Sequence, residues 1–460
     1  MHYDALIIGA GLSGLSAGIR LALAGQKVRV FERHSLPGGL NSYYVRGKSC
    51  QDVGLHAITN YAPEGQRSAI LNKILRQLRI KREELQLCQQ LESQITFPNA
   101  TLKLNNDFQY FREQIKNDFH AQLDGFDRLV KTLPDFASVT DKEDTISARH
   151  VLEQEISDPL LREMLLCPVM FYGNPLPKDM GYGQFAIMFR SIIMEGMARP
   201  LGGMKSVVNL LASRFTSLGG ELSLRNGVEH VNCKNSAVQY IVDSIGVAHT
   251  ANVYISNIGS LETASLCQGE HILPRNVRPG KMAFLEAILD LDCNASSLGI
   301  RQTVIFRSSQ DAMFFDIPND DMDCRSNLIC FPGNFEKCSS IEEASSLRIT
   351  VPASAERWFQ KGAGEYATAK QLALTKLEKL VLELFPALKG HITGNELFTP
   401  CTIKRFTGHV NGAVYGSPDK LRNGHTLMKN LRICGTDQGL LGIVGSITSG
   451  IVTANSCMVR

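Results

Sequence analysis

The residues whose spacing most plainly suits one chemistry stand near the start of the chain. Gly9, Gly11 and Gly14 form a Gly-x-Gly-x-x-Gly turn with Leu12 and Ser13 inside it, and Glu32 stands eighteen residues past Gly14. Such a turn lets the backbone approach a pyrophosphate, and a carboxylate at that distance accepts both hydroxyls of an adenosine ribose. A 2′-phosphate would be repelled there, so the expected ligand is FAD or NAD rather than NADP. Arg33 and the pair Gly38-Gly39, followed by Leu40, continue the pattern directly after the acidic residue.

For these residues to meet one ligand, the chain must run strand, tight turn, helix, strand. Residues 3–8 are rich in strand formers, Leu15, Ile19 and Leu23 recur at helical spacing, and 28–31 is a second short apolar run that ends at Glu32. Gly9 permits the sharp turn, Gly11 the close approach of backbone to phosphate, and Gly14 the packing of helix on strand. The amides at the helix start are then expected to face the phosphates.

With 44% hydrophobic and 20% charged residues, the 460-residue chain has the balance of a soluble globular protein with room for two or three domains. Its 48 basic and 45 acidic residues give no electrostatic reason for a polyanionic partner, so nucleic acid is not expected. Twelve cysteines without a Cys-x-x-Cys pair, and no His-Glu-x-x-His run, predict reduced thiols and no metal site. Residues 5–23 are apolar, but Asp4 flanks them where a signal peptide has a basic cluster, so they read as folded core. Residues 438–459 lack formal charge, yet their glycines, serines and threonines are too polar for a bilayer span.

The run from Asp4 to Leu40 resembles the flavin-containing amine oxidase and phytoene desaturase superfamily, whose members bind FAD through such a βαβ unit and a following Gly-Gly segment. Further stretches resemble carotenoid desaturases and isomerases in particular. Asp52-Val53-Gly54-Leu55-His56 followed by Tyr61 is similar to the Gly-Leu-His segment of plant-type desaturases, and 168–175 to the Gly-Asn-Pro stretch of bacterial ones. Arg199 to Met204 matches the family's Gly-Gly turn ahead of a helix at 205–218, with returning strands at 220–231. Leu431 to Asp437, then Gly442-Ile443-Val444, resembles the C-terminal flavin motif.

The resemblance implies FAD contacts at Gly54, Leu55 and His56, at Val228 beside the adenine, and at Gly435, Asp437, Gly442, Ile443 and Val444 around the isoalloxazine. Helix-start amides there would stabilise negative charge on the reduced ring. The chain departs from the family at Asp437-Gln438-Gly439-Leu440-Leu441, where bacterial phytoene desaturases carry a His-Pro-Gly-Ala-Gly-like sequence, and this leaves substrate and reaction direction open.

The expected fold is α/β: a Rossmann-like FAD-binding domain of the glutathione-reductase and amine-oxidase type, with a discontinuous mixed α+β substrate domain. Residues 1–69, 200–264 and 396–460 are assigned to the first, and 70–199 and 265–395 to the second. Apolar recurrence predicts helices over 69–78, 108–119 and 126–133. Strand-like runs at 283–291, 304–307 and 328–331, then a helix over 367–384 closed by Pro386, suggest a small sheet with a helical lid.

His56 has the free pKa of a general acid or base near the ring; packing at the domain boundary is the alternative. Phe171, Tyr172 and Tyr415 read as walls of an apolar substrate tunnel or as ordinary core. Lys205 and Arg405 suit charge compensation of a reduced flavin or a solvated surface. Cys401 reads as part of a strand entry rather than a flavin attachment point, and 407–416 as a loop with strand flanks bordering the substrate site.

The resemblance implies hydride transfer at flavin N5 on carbon–carbon bonds of an apolar polyene or isoprenoid-like molecule, by desaturation, saturation or isomerisation. Two alternatives stand beside it: a flavin amine oxidase, disfavoured by a single tryptophan at Trp358, and a non-catalytic prenyl-lipid carrier of the GDP-dissociation-inhibitor type. The expected partners are a hydrophobic small molecule and an external electron acceptor or donor. The expected location is the cytoplasm, with loose attachment to a membrane face suggested by the substrate class.

Overall fold

The opening strand His2–Ile8 lies between two parallel neighbours, Val28–Phe31 and Ala248–Ser256, and is buried on both faces from Ala5 onward. A strand covered on both sides reads as a continuous apolar run, which is why Ala5 to Ile8 does not alternate. Glu221–Ser223 adds outside Val28–Phe31, and Leu431–Ile433 outside Ala248–Ser256, both parallel. Numbered along the chain, these parallel strands lie side by side in the order third, second, first, fourth, fifth. The order reverses between His2–Ile8 and Ala248–Ser256, and the crevice beyond the carboxyl ends of strands at such a switch point is where α/β sheets take ligands. The computed structural model from which this is read describes residues 2–46, 49–54, 57–62, 65–134, 145–336 and 346–458.

Both ends of the chain meet on this sheet. The first helix, Leu12–Leu23, packs on the last, Gly442–Met458, so closely that a Cβ at Gly450 would collide with the carbonyl oxygen of Ser13. Arg20 Nη2 and Nε donate to Asn455 Oδ1 at 2.9 and 3.1 Å across the same contact.

A second sheet has seven strands, in the order Ile392–Phe398, Ala283–Leu291, Ser346–Ala353, Ser326–Cys330, Val304–Ser308, Ser93–Phe97, Ala100–Leu104. One face carries Leu285, Ala287, Leu289, Leu347 and Ile349 against Leu374, Leu377 and Val381 of the long helix Ala363–Leu384. The other face carries Phe284, Phe306 and Leu328 toward the helices Pro159–Gly173 and Tyr182–Phe189. Each fully buried leucine in these layers contributes about 1.5–3 kcal/mol by leaving water.

This sheet is larger than the small one expected, because residues 93–104 of the first insertion join it. Ser93, Ile95 and Phe97 are buried while Gln94 and Thr96 are half-buried, a period of two over a run too short to stand out among the neighbouring helices. The helices expected in that insertion form at Ile70–Leu78, Phe108–Asp118 and Leu123–Thr132. The strand entry expected around Cys401 is instead the helix Pro400–Thr407. Thr399 caps it through a reciprocal pair with Thr402, and Pro400 occupies its first turn, where a missing N–H costs nothing. The loop after it therefore has a helix, not a strand, on its N-terminal flank.

The hairpin Tyr43–Arg46 with Ser49–Asp52 is pinned to the second sheet. Tyr44 Oη donates to Glu396 Oε2 at 2.8 Å, Arg46 pairs with Asp290 and Glu396, and Gln51 Oε1 accepts from Arg348 Nη2 at 3.3 Å. No helix among the described residues is long and apolar enough to cross a membrane.

Candidate functional site

The register Ile8↔Ser256 brings together the loops that leave those two strands, the glycine turn and Asn257. With its amide oxygen turned toward the turn, Asn257 accepts from the N–H groups of Gly11 and Gly14, each at 3.1 Å. A Cβ at Gly14 would collide with the Gly9 carbonyl oxygen, and one at Gly11 would lie 2.6 Å from the Asn257 amide, so packing demands both glycines. Glu32 ends the adjacent strand. Its Oε2 accepts from Ala10 N and its Oε1 from His34 N, both at 2.9 Å, which fixes the carboxylate and leaves lone pairs on both oxygens. Gly38 N donates to Ala10 O at 2.8 Å and clamps the second glycine pair onto the turn.

Glu32, Arg33 and Val228 line a cleft of about 340 Å³ together with Gly9, Gly11, Leu12, Ser13, Gly38, Gly39 and Leu40. Its remaining walls include Asn41, Asn257, Thr436 and Ser446. A second cavity of about 100 Å³ is lined by Phe171, Tyr172, Phe284, Glu286, Leu328, Thr350, Phe398 and Tyr415, and also by Gly54 and Gly442. Leu40, Asn41, Thr436 and Ser446 belong to the walls of both. The Asn41 amide oxygen, buried at this boundary, has no hydrogen-bond partner.

Strand register builds one wall of the aromatic cavity. Phe398, Glu286, Thr350 and Leu328 are successive partners across four neighbouring strands, so their side chains form one row on one face. Glu286 Oε1 accepts from Arg348 Nη1 at 2.7 Å, and Arg348 is 2% exposed. Burial, reinforced by Asp52, raises the Glu286 carboxyl above its ordinary range against the pull of Arg348. Tyr415 donates its hydroxyl to the Phe171 carbonyl and serves as a fixed wall. The hydroxyls of Tyr172 and Thr350 have no partner, and burial pushes the Tyr172 phenol well above its ordinary value.

The other sequence-predicted residues lie around these two spaces or beyond them. Asp437 is enclosed by protein: its Oδ2 accepts from Ser260 N and Oγ at 2.7 and 2.6 Å, and its Oδ1 from Ser417 N at 2.9 Å. Burial alone would raise its pKa, but the charge of Lys420 and these hydrogen bonds hold it below the usual aspartate value. Gly435 N donates to Ser449 Oγ at 2.6 Å. At the start of the last helix, Gly442 and Ser446, one turn apart, face the aromatic cavity, whereas Ile443 and Val444 pack in the apolar core with Leu71 and Val207. Lys205 and Arg405 are exposed and stand over the rings of Tyr43 and Phe406, and neither lines the two cavities. The Cys401 thiol donates to Trp358 O at 3.5 Å. Leu55 and His56 lie outside the described residues.

Sequence reading missed Asn41, Asn257, Glu286 and Thr350. Glu286 leaves a visible trace, one acidic residue inside the apolar run 283–289. Asn257 leaves none, because its role comes from the pairing of two distant strands.

The cleft and its glycine turn accord with the comparisons. Residues 7–74 match the model of the NAD(P)-binding Rossmann-like domain family. The chain is 22% identical to a chloroplastic prolycopene isomerase of Daucus carota, over 97% of this chain and 75% of that protein. It is 23% identical to an all-trans-retinol 13,14-reductase of Rattus norvegicus, over 99% of this chain and 86% of that protein. An oxidoreductase from Methanosarcina mazei shares the fold at a TM-score of 0.65 and 17% identity, covering 98% of this chain and 99% of that one. Putrescine oxidase does so at 0.64 and 16%, covering all of both chains. Over nearly its whole length the chain is thus similar to prolycopene isomerases and all-trans-retinol 13,14-reductases, and it shares the fold of putrescine oxidase.

Proposed function

We propose that the protein is an FAD-dependent oxidoreductase acting on carbon–carbon bonds of a conjugated isoprenoid. One observation carries this reading: the dinucleotide cleft and the aromatic cavity share Leu40, Asn41, Thr436 and Ser446. A dinucleotide held by its adenosine end at Glu32 and Val228 would then present its far end to the cavity. The orphaned Asn41 amide oxygen at that boundary fits the hydrogen-bonding edge of a flavin ring better than a void.

Bound flavin supplies a two-electron hydride acceptor or donor. The chain's own part is to hold and to exclude. The glycine turn admits the pyrophosphate to the first turn of Leu12–Leu23, with the N–H groups of Gly14 in that helix and of Gly11 just before it already held by Asn257. Phe171, Phe284 and Phe398 keep water from the reacting bond and set the substrate chain against the boundary residues. The segments 1–69, 200–264 and 396–460 form the cofactor-binding part in this reading.

The test begins with the flavin. Heat-denatured protein should release a yellow cofactor that co-elutes with FAD. Anaerobically reduced holoprotein given cis-carotenoids and retinol should shift their absorption spectra. Polyenes left unchanged while amines are oxidised rapidly with peroxide release would replace this reading by amine oxidation, and a colourless preparation would remove the redox role.

A further inference from the structure

Away from its boundary with the cleft, where Asn41, Thr436 and Ser446 stand, the aromatic cavity is apolar except along one short line. Arg348 occupies Glu286 Oε1, and no hydrogen bond reaches Oε2 among the described residues. Thr350 stands directly beside Glu286 in the strand register, and its hydroxyl has no partner; neither has that of Tyr172. Besides Asn41 at the boundary, three polar groups short of partners therefore line this cavity.

A cavity for a plain hydrocarbon gains nothing from them. A desolvated hydroxyl without a partner is a cost that valine at 350 or phenylalanine at 172 would remove. The set becomes favourable when a ligand completes it. Oε2 is an acceptor, and each hydroxyl both donates and accepts, with Tyr172 kept neutral by its burial. A single ligand hydroxyl can donate to Oε2 while accepting from Thr350 or Tyr172.

Charge narrows the choice. Arg348 already balances Glu286, so an ammonium head group would bring an uncompensated charge into a low-dielectric space. A carboxylate would face Glu286.

We infer that the cavity binds the hydroxyl head group of a neutral isoprenoid alcohol at Glu286, Thr350 and Tyr172, with the unsaturated chain against the phenylalanine walls. The inference rests on the isoprenoid reading of the site and narrows it from hydrocarbons to alcohols.

Direct binding tests it. Holoprotein is titrated with all-trans-retinol and with its deoxy analogue, in which a methyl replaces the terminal CH2OH, and ligand fluorescence is followed. Retinol should bind at least about tenfold more tightly. Thr350→Val and Tyr172→Phe should each shrink that ratio while leaving the deoxy compound's affinity and the flavin content unchanged. Equal affinity of the two ligands in the unsubstituted protein overturns the head-group site and leaves the isoprenoid reading standing. Failure of both to bind flavin-loaded protein sinks the isoprenoid reading and this inference with it. Tighter binding of retinylamine than of retinol overturns the hydroxyl assignment in favour of a cationic head group.

Discussion

Glu286 and Thr350 stand opposite each other on the strands Ala283–Leu291 and Ser346–Ala353, a carboxylate and a hydroxyl side by side in a wall otherwise made of phenylalanine and leucine. Arg348, two residues before Thr350 and on the same face, makes this tolerable by pairing with the carboxylate. Removing the guanidinium leaves a buried charge alone. Arg348→Met is expected to cost about 3–5 kcal/mol in urea unfolding, and Arg348→Met with Glu286→Leu to regain most of it, since an apolar pair of similar volume replaces a buried ion pair at little cost. A double variant no more stable than the single one would show that the pair is not a closed unit.

Gly14 is dictated by contact between the first helix and the turn before it. Gly14→Ala forces a methyl into the Gly9 carbonyl and should destabilise the protein by about 1–3 kcal/mol, with flavin lost from the purified protein. The ratio of visible to ultraviolet absorbance after gel filtration reports the second effect. Full flavin retention with an unchanged melting temperature would contradict the packing described here.

Asn257 holds two amides of the same turn. Asn257→Ala leaves the N–H groups of Gly11 and Gly14 without that partner and should cost about 1–3 kcal/mol. Thermal melting of flavin-stripped protein isolates this from any effect on the cofactor. An unaltered melt would mean that water or backbone replaces the side chain.

Asp437 makes stability depend on acid. Its carboxyl is held below the ordinary aspartate value, so the stabilisation is complete above about pH 4 and is lost as pH falls through the lowered folded-state value. Asp437→Asn should flatten the decline of melting temperature below about pH 4 and should cost about 1–3 kcal/mol at neutral pH, where an amide replaces the carboxylate that accepts from Ser260 and Ser417. Parallel pH profiles for the two proteins would assign the acid sensitivity elsewhere.

Much of the fold was legible wherever one stretch of chain carries its own pattern. The strand at 283–291 and the helix ending at Leu384 show theirs locally, as does the glycine turn between its two strands. Pattern failed where the deciding interaction is brief or distant. The strands at 93–104 are short and sit among helices, and Thr399-Pro400 opens a helix through a cap that resembles a turn before a strand. Ile443 and Val444 show the limit within one motif: a helix start can be recognised, but which of its side chains face a cavity depends on what packs against it.

Residues 9–14 with Glu32 determine by themselves a tight glycine turn between strand and helix and the carboxylate that ends the next strand, because glycine conformation and strand–helix spacing are local properties of the backbone. The alignment of Phe398, Glu286, Thr350 and Leu328 into one wall, and the meeting of that wall's cavity with the cleft at Asn41 and Ser446, were decided only by tertiary structure. Hydrogen-bond register between strands far apart in the chain sets which side chains share a face, and no local pattern carries that register.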